Sequence, residues 1–171
     1  MTSELVTLIA NVALTLSFIV ALVFGIAQVR AAERDRRERL TLETLRSFQT
    51  RDFAELIYYV NYGNIPTSAA ELQTLPAKEQ AMLIQLGQEM ESLGILVSER
   101  FIDIDLVDKT LGSFVVTSWE KYKGVFLDIR EAQPDPFLGE YFQWLAERIA
   151  ERMAQNPRPP FYLNKQLPRK R

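Results

Sequence analysis

Hydrophobic and polar positions divide this chain into one long apolar block followed by a series of helical stripes. The block runs from Leu5 to Val29, 25 residues without a charged side chain. At 1.5 Å rise per residue it covers about 37 Å as a helix, enough to cross the hydrocarbon core of a bilayer with tilt. In lipid a lone segment must pair its own backbone groups, so the block predicts a helix. Gly25-Ile26-Ala27 offers small residues at signal-peptidase spacing. However, the apolar stretch exceeds a signal h-region and no Lys or Arg precedes it, so it reads as a retained anchor.

Beyond the anchor, Ala31 to Tyr62 holds neither Gly nor Pro. Its first half mixes charges of both signs on strong helix formers, so the anchor helix is expected to continue. An apolar stripe then appears at Leu45, Phe48, Phe53, Leu56, Ile57 and Val60, and Gly63 and Pro66 end it. Ser68-Ala69-Ala70-Glu71 is a capping-box pattern, and Pro76 suits a first turn. Leu83, Leu86, Gly87, Met90 and Leu93 make the next stripe, with Gly94 placed as its stop. Asp103 is expected to cap a further helix that Gly112 ends. Val115, Trp119, Tyr122, Phe126 and Ile129 follow at helical spacing. Asp135-Pro136 then opens a helix with Leu138, Tyr141, Phe142, Leu145, Ile149 and Met153 inward, and Asn156-Pro157 closes it. No stretch alternates with period two over useful length. Ile95 to Ile102, the one strand candidate, reads as a connecting loop.

The pattern therefore predicts an all-α chain. An N-terminal transmembrane helix continues into a cytoplasmic helical bundle, and an extended Pro-rich tail follows. The boundaries fall at 1–29 for the anchor, 30–44 for an arginine-rich juxtamembrane helix, 45–156 for the bundle and 157–171 for the tail.

Charge sharpens this picture. The net charge of −2 conceals six basic and four acidic residues from Arg30 to Arg46, and five basic and no acidic residues from Pro157 onward. The span between them is left near −8. An acidic body argues against nucleic acid as a partner, because phosphate contacts need clustered cations. Arg30, Arg34, Arg36, Arg37 and Arg39 follow the apolar block, whereas no Lys or Arg precedes it. The positive-inside rule puts the N-terminus outside and the body in the cytoplasm, with the lipid bilayer as one partner. Ala13, Ser17, Ala21 and Gly25 recur every fourth residue, the pattern of a close helix-packing face in lipid. In the tail, Phe161, Tyr162 and Leu163 form an apolar anchor among Arg158, Lys165, Arg169, Lys170 and Arg171; such a tail can lie on the acidic body, on anionic headgroups or on a partner subunit, and the aromatic and apolar anchor favours the partner subunit.

Candidate chemistry is sparse. The chain has no Cys and no His, which removes thiol nucleophiles, thiolate metal sites, imidazole bases and imidazole ligation of haem. Glu99, Asp103, Asp105 and Asp108 cluster, but they lack EF-hand spacing and a loop glycine, and acidic residues suit a helix start anyway. No P-loop, dinucleotide fingerprint or nucleophile elbow is present. Trp119 and Trp144 lie on apolar stripes and read as core. No catalytic residue, cofactor, metal or small-molecule substrate is expected.

The order of membrane helix, arginine-rich junction, Met90-Glu91-Ser92-Leu93-Gly94-Ile95-Leu96-Val97, Ile102-Asp103, Trp119, Arg130 and Tyr141-Phe142-Gln143-Trp144-Leu145 resembles small bacterial single-pass proteins grouped as a domain of unknown function, number 4760. The resemblance covers about residues 43 to 150. It implies a bacterial membrane-anchored helical domain, hence the inner membrane, and transfers no activity. The expected role is a non-catalytic accessory subunit among other membrane-protein subunits, with respiratory and photosynthetic assemblies among the candidate hosts. The alternative is a tethered adaptor or sensor that recruits a soluble partner.

Overall fold

A computed structural model describes residues 2–132 and 135–163, and among them every regular element is helical. In chain order these are α1 (Thr2–Ser47), α2 (Arg51–Tyr62), α3 (Ala69–Thr74), α4 (Ala77–Ser98), α5 (Ile104–Ala132) and α6 (Glu140–Gln155), then a 3₁₀ turn (Phe161–Leu163). Two compact units divide after Leu45.

The first unit is α1, a 46-residue helix long and apolar enough to cross a membrane. Nothing covers its apolar block. Every large apolar side chain from Leu5 to Val29 is open, from 47% exposed at Ile26 to 70% at Phe18. Thr7 and Thr15 in the block fold back on their own helix, donating to the Ser3 and Asn11 carbonyls.

The second unit is a helical body in which α6 packs on α4 and α5, α3 on α5, and α2 on both α4 and α5. Its core joins Phe53, Leu56 and Val60 of α2 to Leu83, Leu86, Met90 and Leu93 of α4, Val115, Trp119 and Tyr122 of α5, and Phe142, Leu145 and Ile149 of α6. These are the predicted stripes. Trp119 lies edge-on to Phe142 with ring centroids 5.2 Å apart, and Phe126 meets both rings. Trp144, expected in the core, is only partly buried against it.

Four expectations about element ends need correction. The chain breaks at Phe48–Thr50 without Gly or Pro, because Thr50 starts a new helix, its Oγ1 accepting from the Phe53 N–H at 3.2 Å. Gly94 does not stop α4, which runs on to Ser98 and so absorbs half of the expected loop. Gly112 likewise lies inside α5. Pro136 is not a first-turn residue. Asp135–Leu138 forms a turn, and α6 begins at Glu140 after Gly139, whose φ of 68° is left-handed. The capping box at Ser68 and the Asp103 cap do form, although Glu71 returns to the backbone N–H of Thr67 rather than that of Ser68.

The two misread glycines serve packing, but not equally. A Cβ on Gly94 would lie 2.4 Å from the Tyr141 carbonyl oxygen, so this glycine lets the start of α6 rest on α4. A Cβ on Gly112 would meet only the ends of Asp108, Met153 and Ile149 side chains. Helix propensity alone favours Ala at either site by up to about 1 kcal/mol. Backbone overlap should reverse that at one of them. Gly94→Ala is expected to destabilise the body by about 2–3 kcal/mol, whereas Gly112→Ala should be neutral or mildly stabilising. Urea unfolding followed by tryptophan fluorescence reads both.

Tyr59 ties α2 to α4 through its hydroxyl, 2.7 Å from Glu79 Oε2 and 3.2 Å from the Asn64 carbonyl. Burial first, and then the Glu79 carboxylate, push its pKa up to about 12. Burial also raises that of Tyr122. A phenol whose folded pKa is raised adds stability that is complete below its ordinary value near 10 and is lost as pH climbs through the folded value. The body should therefore weaken between about pH 10 and 12. Tyr59→Phe should make that decline shallower, by removing its own contribution and the Tyr59 charge that adds to burial in raising Tyr122, and the part of the Tyr122 contribution due to burial should remain, as chemical denaturation at a series of alkaline pH values would show.

Candidate functional site

Helix starts carry unpaired N–H groups, and α6 begins after a glycine that has no side chain to accept from them. A neighbouring helix supplies the acceptor. Glu91 of α4 takes the Phe142 N–H on Oε2 at 2.8 Å and the Tyr141 N–H on Oε1 at 3.3 Å. The carboxylate also faces the positive end of the α6 dipole. From α5, Arg130 Nε donates to the Leu138 carbonyl and its Nη1 to Gln143 Oε1, both at 2.7 Å. Three helices thus meet at one polar junction above the aromatic cluster of Trp119, Phe126 and Phe142.

Beside this junction lies an open apolar groove of about 390 Å³. One wall is the α4 stripe Leu83, Ile84, Gly87, Gln88, Glu91 and Ser92, and the other is Tyr122, Val125, Phe126 and Ile129 of α5. Leu72 of α3 closes one end and Leu138–Gly139 the other. The polar side chains sit in the α4 wall, and no Lys or Arg is among the lining residues. A half-open apolar hollow with a few polar groups on one rim can take an apolar side chain or a small apolar ligand.

The expected site residues fall into separate places. Ala13, Ser17, Ala21 and Gly25 share one side of α1 and are exposed, with nothing within 4 Å of a Cβ built on Gly25. Arg30, Arg34, Arg36, Arg37 and Arg39 follow on the same helix, all exposed. None of them joins an ion pair among the described residues, despite the acids interleaved with them. In the tail, Arg158 is exposed, and Tyr162 and Leu163 are 83% and 61% exposed. Phe161 starts the 3₁₀ turn, while Lys165, Arg169, Lys170 and Arg171 lie outside the described residues. The acidic cluster is dispersed into structural roles. Asp103 accepts from the Asp105 N–H at 2.8 Å, and Asp105 pairs with Arg152. Among the described residues no three acidic groups converge as metal ligands would.

Sequence reasoning missed the groove and the role of Glu91. A usable signal was present in Gly87 and Gly94, two turns apart on α4, which mark a face that neighbours approach closely. The cap could not be read, since Glu91 and Phe142 are 51 positions apart.

Comparison with known proteins adds one match. Residues 15–149 fit the family described as Domain of unknown function (DUF4760), whereas no curated protein and no solved structure matches. The matched span contains Glu91, Arg130, Phe142 and Gln143, so the three-helix junction lies wholly within it.

Glu91→Ala leaves two α6 N–H groups without an acceptor and is expected to cost about 2 kcal/mol. Glu91→Gln keeps one acceptor oxygen without the charge and should cost roughly half as much. Denaturant midpoints of the two variants test that order.

Proposed function

The chain thus belongs to the family described as Domain of unknown function (DUF4760), and from that premise we propose that it is a single-pass, non-catalytic subunit of a bacterial inner-membrane assembly. The observation that carries this reading is the uncovered apolar length of α1. An exposed apolar surface of that extent is not tolerated in water, and a bilayer removes it at no cost in backbone pairing. Arg30 to Arg39 sit where the helix leaves the hydrocarbon, and they orient the body to the cytoplasm by the positive-inside rule. Ala13, Ser17, Ala21 and Gly25 then offer a partner helix a smooth side.

The groove favours a second reading, a tethered adaptor that holds a soluble partner at the membrane. Its apolar walls and polar rim suit an inserted side chain. In this reading the anchor supplies location and the body supplies recognition. Neither reading requires a reaction.

Extraction in a mild detergent, sizing and mass spectrometry of co-migrating proteins separate the two. The subunit reading expects a defined assembly far larger than one 19.7 kDa chain in its micelle. A lone chain after gentle extraction overturns it. In that case the body, with its own core, should still retain a cytosolic protein, as the adaptor reading requires.

A further inference from the structure

Membrane topology needs only a count of cations after the apolar block and is indifferent to the side of the helix they occupy. On α1 they have sides. The helix is continuous through Ser47, so at about 100° per residue Arg30, Arg34 and Arg37 fall within about 60° of one another. Ala21 and Gly25 of the small-residue ridge lie on roughly the opposite side, and Arg36 and Arg39 follow beneath them. We propose that Arg30, Arg34 and Arg37 form a stripe that binds the phosphate of an anionic glycerophospholipid. This rests on the reading of α1 as a membrane-spanning helix.

Position along the axis brings the stripe to the phosphate layer. The polar layer on each side of a bilayer is about 5–8 Å deep. Arg30 is the first charged residue after the apolar block, and Arg34 and Arg37 follow about 6 and 10 Å further along. Helical side chains lean back toward the N-terminus, here toward the membrane. The long stems of Arg34 and Arg37 therefore return their guanidinium groups to that layer. Glu33 and Glu38 flank the stripe, but their carboxylates sit on shorter stems and reach less far.

The stripe is also uncommitted within the protein. Arg30, Arg34 and Arg37 are exposed, and among the described residues no ion pair engages them, although Glu33 and Glu38 stand four residues from Arg37 and Arg34. Arg36 and Arg39 differ, since they share a shallow hollow of α1 with Asp35 and Glu43. A guanidinium offers paired donors to phosphate oxygens, so three on one side form a track for an anionic headgroup. A helix packed on the ridge would cover the side that holds Arg36 and Arg39 and leave the stripe facing lipid.

Two double variants have equal net charge and differ only in the side they alter, Arg34→Gln with Arg37→Gln and Arg36→Gln with Arg39→Gln. All four positions are exposed and Gln is a good helix former, so loss of folding does not account for a difference. The full-length chain and both variants are purified in a neutral detergent, given equimolar phosphatidylglycerol and phosphatidylcholine, and weighed by native mass spectrometry. The unaltered chain is expected to hold phosphatidylglycerol over phosphatidylcholine about fivefold, the effect of one cation at an anionic surface. The Arg34/Arg37 variant should bring that ratio to about one, and the Arg36/Arg39 variant should leave it unchanged. The proposal is overturned by a ratio near one in the unaltered chain, by an Arg34/Arg37 variant that keeps the preference, or by an Arg36/Arg39 variant that loses it as fully. Carbonate washing of membranes from the same cells tests the anchor separately. A chain that washes off overturns the membrane reading and this proposal with it, whereas a retained chain without lipid preference overturns this proposal alone.

Discussion

The Glu91 carboxylate on the first N–H groups of α6 is the contact around which the body closes. Without it the start of α6 would have two unpaired donors pressed against α4, since Gly139 contributes no side chain. The approach that makes the cap possible also depends on Gly94, whose missing Cβ admits the Tyr141 carbonyl. Charge and close packing are therefore one device here. The glycine brings the helices together, and the carboxylate offsets the polar cost of bringing them there.

Helix α5 applies the same principle to its other neighbours. Lys121 Nζ donates at 2.6 Å to the Val60 carbonyl near the end of α2, where helix carbonyls lack partners. Asp128 Oδ2 accepts the Ala69 N–H at the start of α3 at 3.1 Å. Arg130 holds the turn that leads into α6. Each of these charged side chains answers backbone groups of a different element; Lys121 at the end of α2 and Asp128 at the start of α3 also carry the sign that the helix dipole favours, whereas Arg130 acts through its hydrogen bonds alone. The surface ion pairs, such as Arg51–Glu55 and Lys123–Glu120, join residues within one helix and are exposed, so they add little. Placement of charge at helix ends explains the architecture better than a count of salt bridges does.

The same distinction accounts for what could be read from the sequence. Apolar residues at helical spacing report local geometry, and the stripes of α2, α4, α5 and α6 were legible for that reason. A glycine inside a helix and a glycine just past its end look alike to any local rule, because both lack a side chain. Only the opposing helix distinguishes them, as Tyr141 does for Gly94. The break at Phe48–Thr50 was hidden for the converse reason. Thr50 is a competent cap, but a threonine between apolar residues is equally at home on an exposed helix face. The groove is further still from local pattern, since its walls are drawn from α4 and α5 and its ends from α3 and the 135–139 turn.

These features bear on why the chain is partitioned as it is. The apolar block of α1 satisfies its backbone alone, as a helix long and apolar enough to cross a membrane can. The body satisfies its helix ends by long-range contacts, which use charged side chains that a bilayer would exclude. Arg30 to Arg39 mark where one set of rules gives way to the other on a single continuous helix. Past that point the sequence concentrates negative charge in the folded body and positive charge in its tail.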